Sequence, residues 1–427
     1  MAQMQAADAG EVIIVGDKIA LKKFNGSGNL NIHNLVTRFE IVESLDTHTV
    51  TADFYIAEGI DLPNEYPMGG EETIEIKLQT PGRGVCNYKF FVESVRAMRT
   101  NDESNMRSYI LRCTTKDFLK NSFKVYTKRY KDKKYHEALA EVITQDLGAE
   151  FPLVTVEQTK GKFDYVVNEK RPFQVVDLIK ERAVSAEGNL SSIFVFYQDW
   201  QGYHFTTVEK LIEDRKGGAE GKTFVADTNP RIANLGEAIN VRNILSYETT
   251  SQGSSIDKVM KGAMYTQIRE YDLHRGTYYP LEEYINPSHQ ASFKKTDDAI
   301  DFNSGDYNSF TTEMPGVTRM AIKDGTRPEM EHNKNIHWGR GFTPRMFQYA
   351  VRLRTYGDTN MRVGDVVKLK LPVISGTTGA RPQSKIFAQN YIVTNLKHLC
   401  QKQHLGKFEH FLVMDVAKPN QYGRPLG

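Results

Sequence analysis

The sequence contains few cysteines and almost no net charge. Its three cysteines, Cys86, Cys113 and Cys400, are widely spaced and odd in number, which excludes a disulfide framework and a CxxC metal motif. We therefore expect the chain to fold in a reducing compartment. The 55 Lys and Arg residues nearly balance the 53 Asp and Glu residues, leaving a net charge of +2. The composition therefore predicts no general attraction to nucleic acid or to an anionic membrane.

Long hydrophobic runs are also missing. The runs VIIV at Val12–Val15 and IFVFY at Ile193–Tyr197 fall far short of the ~20 apolar residues of a membrane-spanning helix. The first residues, MAQMQAADAGE, lack the basic and apolar regions of a signal peptide. We therefore expect a soluble protein with no stable membrane association. A hydrophobic content of 40% and a charged content of 25% are typical of a globular protein.

Enzymatic motifs are absent from the sequence. It has no GxxxxGK phosphate loop, no GxSxG elbow and no HExxH zinc motif, so the common nucleotide, hydrolase and metalloprotease sites are not indicated. The adjacent acids Glu71-Glu72 and Asp297-Asp298 would point to opposite faces of a strand, and cannot form an acid/base pair there. We therefore predict a protein that is not an enzyme, with no catalytic residue, no cofactor and no metal.

Two clusters leave alternatives open. His398, His404 and His410 are spaced by six residues, and a hairpin would bring the first and last together. Cys400 alternates with His398, so the group is either a zinc site or, as we favour, polar residues of a hairpin. The basic stretch Lys116–Lys134 contains interleaved aromatic residues that suit base stacking. The small net charge favours a solvated linker or a protein contact instead.

Alternating patterns predict a β-rich first part. The segments Val50–Ile56, Thr73–Gln79, Tyr88–Ala97 and Ser108–Thr115 alternate or are rich in β-formers, which is typical of a barrel or sandwich. In addition, the dipeptide Gly16-Asp17 between two apolar runs predicts a hairpin.

The middle of the chain changes to a helical period. Leu139, Val142, Ile143 and Leu147 recur at helical spacing and Gly148 can end the helix, and a second helix is expected over Pro172–Val184 with proline in its first turn. A hairpin follows at Ile193–Tyr197 and Tyr203–Val208, and then a short helix at VEKLIED. Strands resume over Val241–Ile285, whereas Asn286–Arg340 has few apolar runs and is expected to be a surface insertion or an arm that contacts a partner.

Two β-rich segments resemble each other. The first contains MGGEETIEIKL, FFVESVR and RSYILRC, and the second contains RVGDVVKLKL, YIVTNLK and EHFLVMD. Each has a Gly-acidic turn, where glycine is favourable, followed by three strand-like runs in the same order. The alternatives are an internal duplication, which we favour, and two antiparallel meanders that look alike by chance.

Several of these motifs, in their order along the chain, point to a known family. They are GYHFTTVEKL after FVFYQDW, then GAMYTQIREYDL, then YGDTNMRVGDVVKLKLP, YIVTNLKH and FEHFLVMDV. With them the sequence resembles the central baseplate hub proteins of contractile-tailed bacteriophages over most of its length, roughly Val12–Lys418.

The resemblance implies a fold and a set of partners. It implies a mainly β chain with two antiparallel β-barrels like the tail-tube protein, a mixed α+β domain and an insertion. Such a chain would be a structural protein of the virion that forms a homotrimer. It would join the sixfold tail tube protein to the threefold central spike protein and contact other baseplate proteins. DNA would contact it only in transit through the channel. The protein would be found in the tail baseplate, and in the host cytoplasm during assembly.

The expected domains follow from the patterns and the resemblance together. They are a first barrel at 8–117, a mixed α+β domain at 118–230, a discontinuous second barrel at 231–262 and 342–418, and an insertion at 263–341. Residues 286–340 match nothing in the family. No oligonucleotide-binding fold or β-helix is recognised after Lys418, and no lysozyme-like segment is found, so we expect a separate spike partner rather than a fused hub and spike.

Alternation also suggests which side chains face a channel. In TIEIKL and KLKL the apolar residues should enter barrel cores; these are Ile74, Ile76 and Leu78, and Val367, Leu369 and Leu371. The opposite faces carry Glu75, Lys77, Lys368 and Lys370. We expect these four residues to line the DNA channel or lie close to it, because mixed charges stay hydrated without gripping phosphate strongly. The competing hypotheses are a cell-wall or polysaccharide hydrolase of the tail and a receptor-binding tail protein.

Overall fold

The computed structural model describes residues 11–15, 18–23, 29–60, 62, 66, 68, 72–101, 106–187, 193–218, 222–226, 242–252, 266–272, 277–281, 317–323, 349–372, 384, 390–403 and 407–418. The described chain is mainly β, as predicted. No helix among these residues has the length and apolar character needed to cross a membrane.

The first part of the chain consists of strands. They are β1 (Glu11–Ile14), β2 (Ala20–Lys23), β3 (Asn29–Asn31), β4 (Val36–Ser44), β5 (Thr51–Glu58), β6 (Glu72–Gln79), β7 (Val85–Asn101) and β8 (Met106–Thr114). Strands β1 and β2 do not form the predicted hairpin. Both pair with β6 instead, through Ile14 opposite Leu78 and Ala20 opposite Glu75, because β6 is long enough to accept the two short strands in succession. Residues Gly16 and Asp17 lie outside the described part of the chain.

The middle part mixes helices and strands. Its elements are α1 (Lys116–Phe123), β9 (Tyr126–Lys134), α2 (Tyr135–Glu141) with a π-helical continuation (Val142–Leu147), β10 (Leu153–Val156), β11 (Thr159–Lys160), β12 (Lys162–Lys170), α3 (Pro172–Arg182), β13 (Val184–Ser185), β14 (Phe194–Gln198), β15 (Tyr203–Thr207) and α4 (Val208–Lys216). The predicted helix around Leu139 is confirmed; it ends at Gly148, which has φ +63°. The helix that begins at Pro172 and the β14–β15 hairpin are confirmed as well.

The basic stretch is not a linker. Lys116–Lys134 forms helix α1 and strand β9, and β9 pairs antiparallel with β12. The expectation of a linker was wrong because the alternation of Tyr126, Lys128 and Tyr130 belongs to a strand with one covered face: Tyr130 is 1% exposed, whereas Arg129 points to solvent. The alternative of a protein contact stays a prediction.

The last part returns to strands. They are β16 (Thr223–Val225), β17 (Ile244–Gln252), β18 (Thr266–Asp272), β19 (Thr277–Leu281), β20 (Val317–Lys323), β21 (Tyr349–Tyr356), β22 (Val366–Lys370), β23 (Asn390–Lys402) and β24 (Phe408–Lys418). Strands β18, β19 and β20 form a small sheet of their own. Apart from β20, the segment 286–340 predicted as an arm lies outside the described residues.

The pairings of the large sheet close two rings of strands. In the first strand ring the neighbours are β4, β5, β8, β7, β6, β1, β24 and β23, and β23 pairs back to β4. In the second the neighbours are β17, β21, β24, β23, β22 and β16, and the bridge between Val225 and Asn243 leads back to β17. The β23–β24 hairpin therefore belongs to both rings.

Each ring encloses its own apolar core. The residues predicted to face a core are buried: Ile74, Ile76 and Leu78 pack in the first cluster, and Val367, Leu369 and Leu371 in the second. The shared hairpin contributes to both, since Cys400 and Phe408 near its tip enter the first core, whereas Val393 and Met414 nearer its ends enter the second. Burial of this apolar surface on both sides is what fixes the hairpin between the rings.

Candidate functional site

Two sets of five strands have the same order. We call β4, β5, β6, β7 and β8 block one, and β17, β21, β22, β23 and β24 block two. In each block the first strand along the chain pairs with the second, the second with the fifth, the fifth with the fourth and the fourth with the third, always antiparallel. The similar sequence runs therefore occupy corresponding strands, which favours duplication over chance likeness.

A bulge aligns the two blocks residue by residue. The register between β7 and β8 shifts between Val92 and Ser94, and the register between β23 and β24 shifts between Val393 and Asn395. The bulges fall at the same place in FFVESVR and YIVTNLK. Bulges alter strand twist and side-chain direction and occur at specific positions of a fold. Matching bulges are therefore stronger evidence that the two blocks correspond than a shared alternation of apolar residues.

An ion pair also recurs, with its charges exchanged. In block one the Arg112 guanidinium lies 2.8 Å from the Asp53 carboxylate, on adjacent strands β8 and β5. At the corresponding place in block two, Arg352 of β21 lies 2.7 Å from Asp415 of β24. Opposite charges on neighbouring strands stabilise a sheet whichever strand carries the cation.

The predicted channel residues take corresponding positions in the blocks. Thr73 pairs with Phe91, and Val366 pairs with Ile392. Counted from those pairs, Glu75 corresponds to Lys368 and Lys77 to Lys370. Glu75 and Lys77 lie on one face of β6, and Lys368 and Lys370 lie on one face of β22. Lys77 is exposed and the other three are half-buried. Strands β6 and β22 are not paired with each other in the described sheet. Glu75 accepts a 2.6 Å bond from Lys22. That these residues line a channel remains a prediction.

The seam between the blocks is formed by β23 and β4. Their seven paired positions run from Asn395 opposite Ser44 to Gln401 opposite Arg38. Lys397 donates a 2.6 Å bond to Glu40 across this seam. Burial opposes ionisation of Glu40, but the hydrogen bonds and charges of Lys397 and Arg38 outweigh it and lower the Glu40 pKa.

One loop joins both blocks to the middle part. In this junction loop, residues 357–365, Thr359 exchanges hydrogen bonds with Thr80 and donates to the Gly84 carbonyl. Asp365 lies 3.2 Å from Arg215 of α4 and 2.6 Å from Lys222. In the sequence, YGDTNMRVGD indicated only the family resemblance. Its two Gly-Asp turns are the signal for this tight, polar loop.

A fully buried carboxyl lies beside the junction loop. Glu43 of β4 is 0% exposed and accepts a 2.9 Å bond from the Tyr88 hydroxyl. Burial raises the Glu43 pKa to about 8, and the nearby Asp199 carboxylate contributes further. Asp199 is itself buried, but its 3.1 Å contact with His204 and its bond from the Gln201 amide lower its pKa. Glu43 therefore carries a proton at neutral pH and is not available to external ligands.

The structure describes two of the three histidines of the predicted cluster, His398 and His410. As predicted, the hairpin brings together His398 and His410, whose Nδ1 and Nε2 atoms lie 3.0 Å apart. Cys400 lies in the first core, opposite His410 on the paired strand, and His404 lies outside the described residues. Within the described part of the chain, no group of three or more His, Cys, Asp or Glu side chains is arranged to hold a metal.

Several cations of the basic stretch, Lys116, Lys120, Lys128 and Lys133, have acidic partners within the protein. Lys128 lies 2.8 Å from Glu141 and 2.7 Å from Asp146. Tyr130 donates a 2.5 Å bond to Asp146, and its hydroxyl also meets that of Tyr126 at 3.0 Å. These aromatic rings are therefore fixed within the protein, which weakens the base-stacking alternative.

Comparisons with known proteins identify the fold. No family model matches the sequence, and no curated protein does. The chain is similar in structure to the 43 kDa tail protein of prophage MuSo2 from Shewanella oneidensis, with 8% identity, a TM-score of 0.51 and coverage of 94% of this chain and 98% of that one. It is also similar to the tail protein from Neisseria meningitidis MC58, with 8% identity, a TM-score of 0.50 and coverage of 95% and 97%. The chain therefore has the fold of phage tail proteins, as the sequence resemblance implied.

Proposed function

We propose that the chain is a structural virion protein, the trimeric baseplate hub that adapts a sixfold tail tube to a threefold central spike. The observation that carries this proposal is the pair of blocks with one strand order, joined by a shared hairpin. Each strand ring would correspond to one tail-tube-like barrel.

The duplication offers a solution to a symmetry mismatch. A tube of six identical subunits cannot meet a threefold spike with equivalent contacts. Three chains with two similar blocks each would present six similar surfaces to the tube and three identical surfaces to the spike. Such a cyclic trimer is a closed, heterologous assembly, in which block one of each chain contacts block two of its neighbour.

The proposed partners are a tail tube protein, a separate central spike protein and other baseplate proteins. DNA would pass only in transit, and Glu75, Lys77, Lys368 and Lys370 are proposed to face or approach its path. The fold relationship to tail proteins supports this placement in the virion.

The hydrolase alternative has weaker support. Glycoside hydrolysis requires two carboxyl groups that converge on an accessible cleft. One pair of acids that the fold brings together, Glu43 and Asp199, is 0% exposed, so a glycan cannot reach it. Another pair, Glu141 and Asp146, is bound by Lys128. We propose that the chain has no enzymatic activity. Hydrolysis of cell-wall glycan or peptide by the isolated chain, lost on substitution of one carboxylate, would contradict this.

The decisive experiment is to determine copy number and position in assembled baseplates. Electron cryomicroscopy of the baseplate should show three copies on the tail axis, between tube and spike, with block one and block two superposing. Six copies, or an off-axis position with the receptor-contacting fibres, would refute the hub and support a tube subunit or a receptor-binding protein.

A further inference from the structure

Two strand edges have no partner strand among the residues that the structure describes. One is the side of β7 that faces away from β8, after Phe91, where the pairing with β6 ends. The other is the side of β17 that faces away from β21, from Ile244 onwards, beyond the bridge between Val225 and Asn243. Open edges present unpaired N–H and C=O groups and are templates for another strand.

The corresponding edges in the other block are paired within the chain. Strand β23 corresponds to β7; it pairs with β22 up to Ile392 and then with β4 from Asn395 to Gln401. Strand β4 corresponds to β17. Block two therefore contacts block one through β23 and β4. Within the described part of the chain, no equivalent contact joins β7 of block one to β17 of block two.

We infer that a second copy of this chain supplies the missing contact. The outer half of β7 in one copy pairs antiparallel with β17 of the next copy, in the way that β23 pairs with β4 inside the chain. This inference rests on the proposed function and specifies its interface. Since each copy offers one edge of each kind, the contact is head-to-tail and can close into a ring.

The charges at the two edges fit this pairing. Counted from the matched bulges, Arg96 holds the position of Lys397. Asp53 and Arg352 hold corresponding positions in the two blocks, as their exchanged ion pairs show. Glu40 lies opposite Asp53 and Glu248 lies opposite Arg352, so Glu248 holds the position of Glu40. The intrachain bond from Lys397 to Glu40, at 2.6 Å, thereby predicts an ion pair from Arg96 to Glu248 of the neighbouring copy.

The exposed apolar side chains point to the same surface. Tyr247 is 41% exposed, whereas Phe39 at the corresponding position of β4 is 0% exposed. Leu245 on the same strand is 43% exposed, and Met98 on the outer half of β7 is 50% exposed. A neighbouring strand pair would cover these groups, just as β23 covers the edge of β4.

Chemical cross-linking of the full chain tests the inference directly. The native cysteines are buried, so a short bifunctional maleimide should react only with introduced ones. Two proteins, Arg96→Cys and Glu248→Cys, are prepared separately. Cross-linked dimer should form when they are mixed, at least roughly tenfold above either protein alone, because the contact joins unlike edges. The matched control mixes Val166→Cys, 58% exposed on β12, with Glu248→Cys and should give background only.

Charge reversal supplies a second measurement that does not depend on cross-linking. Arg96→Glu and Glu248→Arg should each weaken self-association by roughly tenfold, and the double variant should recover it, because like charges face each other only in the single variants. Three copies on the baseplate axis without the specific cross-link or the charge recovery would overturn the edge pairing and leave the proposed hub standing. A chain that stays monomeric with tube and spike present would overturn both.

Discussion

His398 and His410 stack with their ring centroids 5.2 Å apart and share one hydrogen bond on the hairpin that belongs to both strand rings. His398 Nε2 and His410 Nδ1 are buried and have no hydrogen-bond partner among the described residues. Burial lowers the pKa of His398 to about 4, and burial together with His398 lowers the pKa of His410 well below its usual value. The pair is therefore neutral and holds the hairpin in an apolar setting.

Acid should destabilise the fold through this pair. The unfolded histidines take up protons below a pH of about 6.5, whereas folded His398 does so only near 4, so stability is lost as pH falls through this window. For His398 alone the change is roughly 3 kcal/mol. The free energy of unfolding in urea, measured between pH 4 and 7, should depend much less on pH in the double variant His398→Leu/His410→Leu.

The control for this experiment is Gln401→Ala, an exposed position on the same strand, which should keep the wild-type pH dependence. If the double variant keeps it too, the buried pair is not the acid-sensitive element.

Gly357 should be intolerant of a side chain. A Cβ at this position would lie 2.0 Å from His410 Nδ1, and the junction loop is fixed there by the bond from the Gly357 amide to the His410 carbonyl at 2.8 Å. Gly357→Ala should therefore cost about 1–3 kcal/mol of overpacking. Gly217→Ala, where a Cβ meets nothing within 4 Å, is the matched control and should be neutral. Urea denaturation compares the two, and equal stability would show that the loop can move away from His410.

Glu43 should make the protein less stable as pH rises. Its folded pKa of about 8 lies above the ordinary value of 4.5, so its contribution is full below the unfolded pKa and is lost as pH rises towards the folded pKa. Glu43→Gln resembles the protonated carboxyl, so its stability should be close to that of the wild type near pH 5 and should exceed it increasingly as pH rises towards 8, because the wild-type decline is flattened.

The comparison for Glu43 is Glu43→Ala, which removes the acceptor of the Tyr88 hydroxyl. Relative to Glu43→Gln, this variant should lose roughly 1–3 kcal/mol at all pH values, because a buried donor is left without a partner. Urea unfolding across pH 5–9 separates the two variants. A wild-type slope in Glu43→Gln would place the titrating group elsewhere.

Local patterns in the sequence predicted the elements better than their partners. Alternation identified β5 and β6, and helical spacing identified the helix around Leu139, since each pattern depends on one buried face. The sharing of the β23–β24 hairpin could not be predicted, because pairing β23 with β4 joins residues more than 350 positions apart and leaves no trace in a local period. The burial of Glu43 was missed for the same reason: its surroundings come from β7, the β14–β15 turn and the junction loop.

The basic stretch shows a different limit. Lysine-rich strand β9 has the composition of a solvated linker, and only Tyr126 and Tyr130 at a spacing of four reveal its covered face. The acids that neutralise it, Glu141 and Asp146, come from α2 and its π-helical continuation. Net charge and composition alone therefore did not predict the local structure of this stretch, because the acids that pair with its lysines come from another part of the chain.

The last prediction concerns the channel. If Glu75, Lys77, Lys368 and Lys370 face the DNA path, Glu75→Lys makes all four positions positive, and phosphate should be held more strongly as DNA passes. DNA ejection from assembled particles should slow, and added salt should restore it, because cation–phosphate contacts weaken with ionic strength. Loss of the half-exposed pair with Lys22 should cost at most about 1 kcal/mol. Glu213→Lys, at an exposed position on α4, makes the same charge change away from the proposed path and should eject DNA at the wild-type rate. Equal rates for the two variants at low salt would remove these residues from the channel.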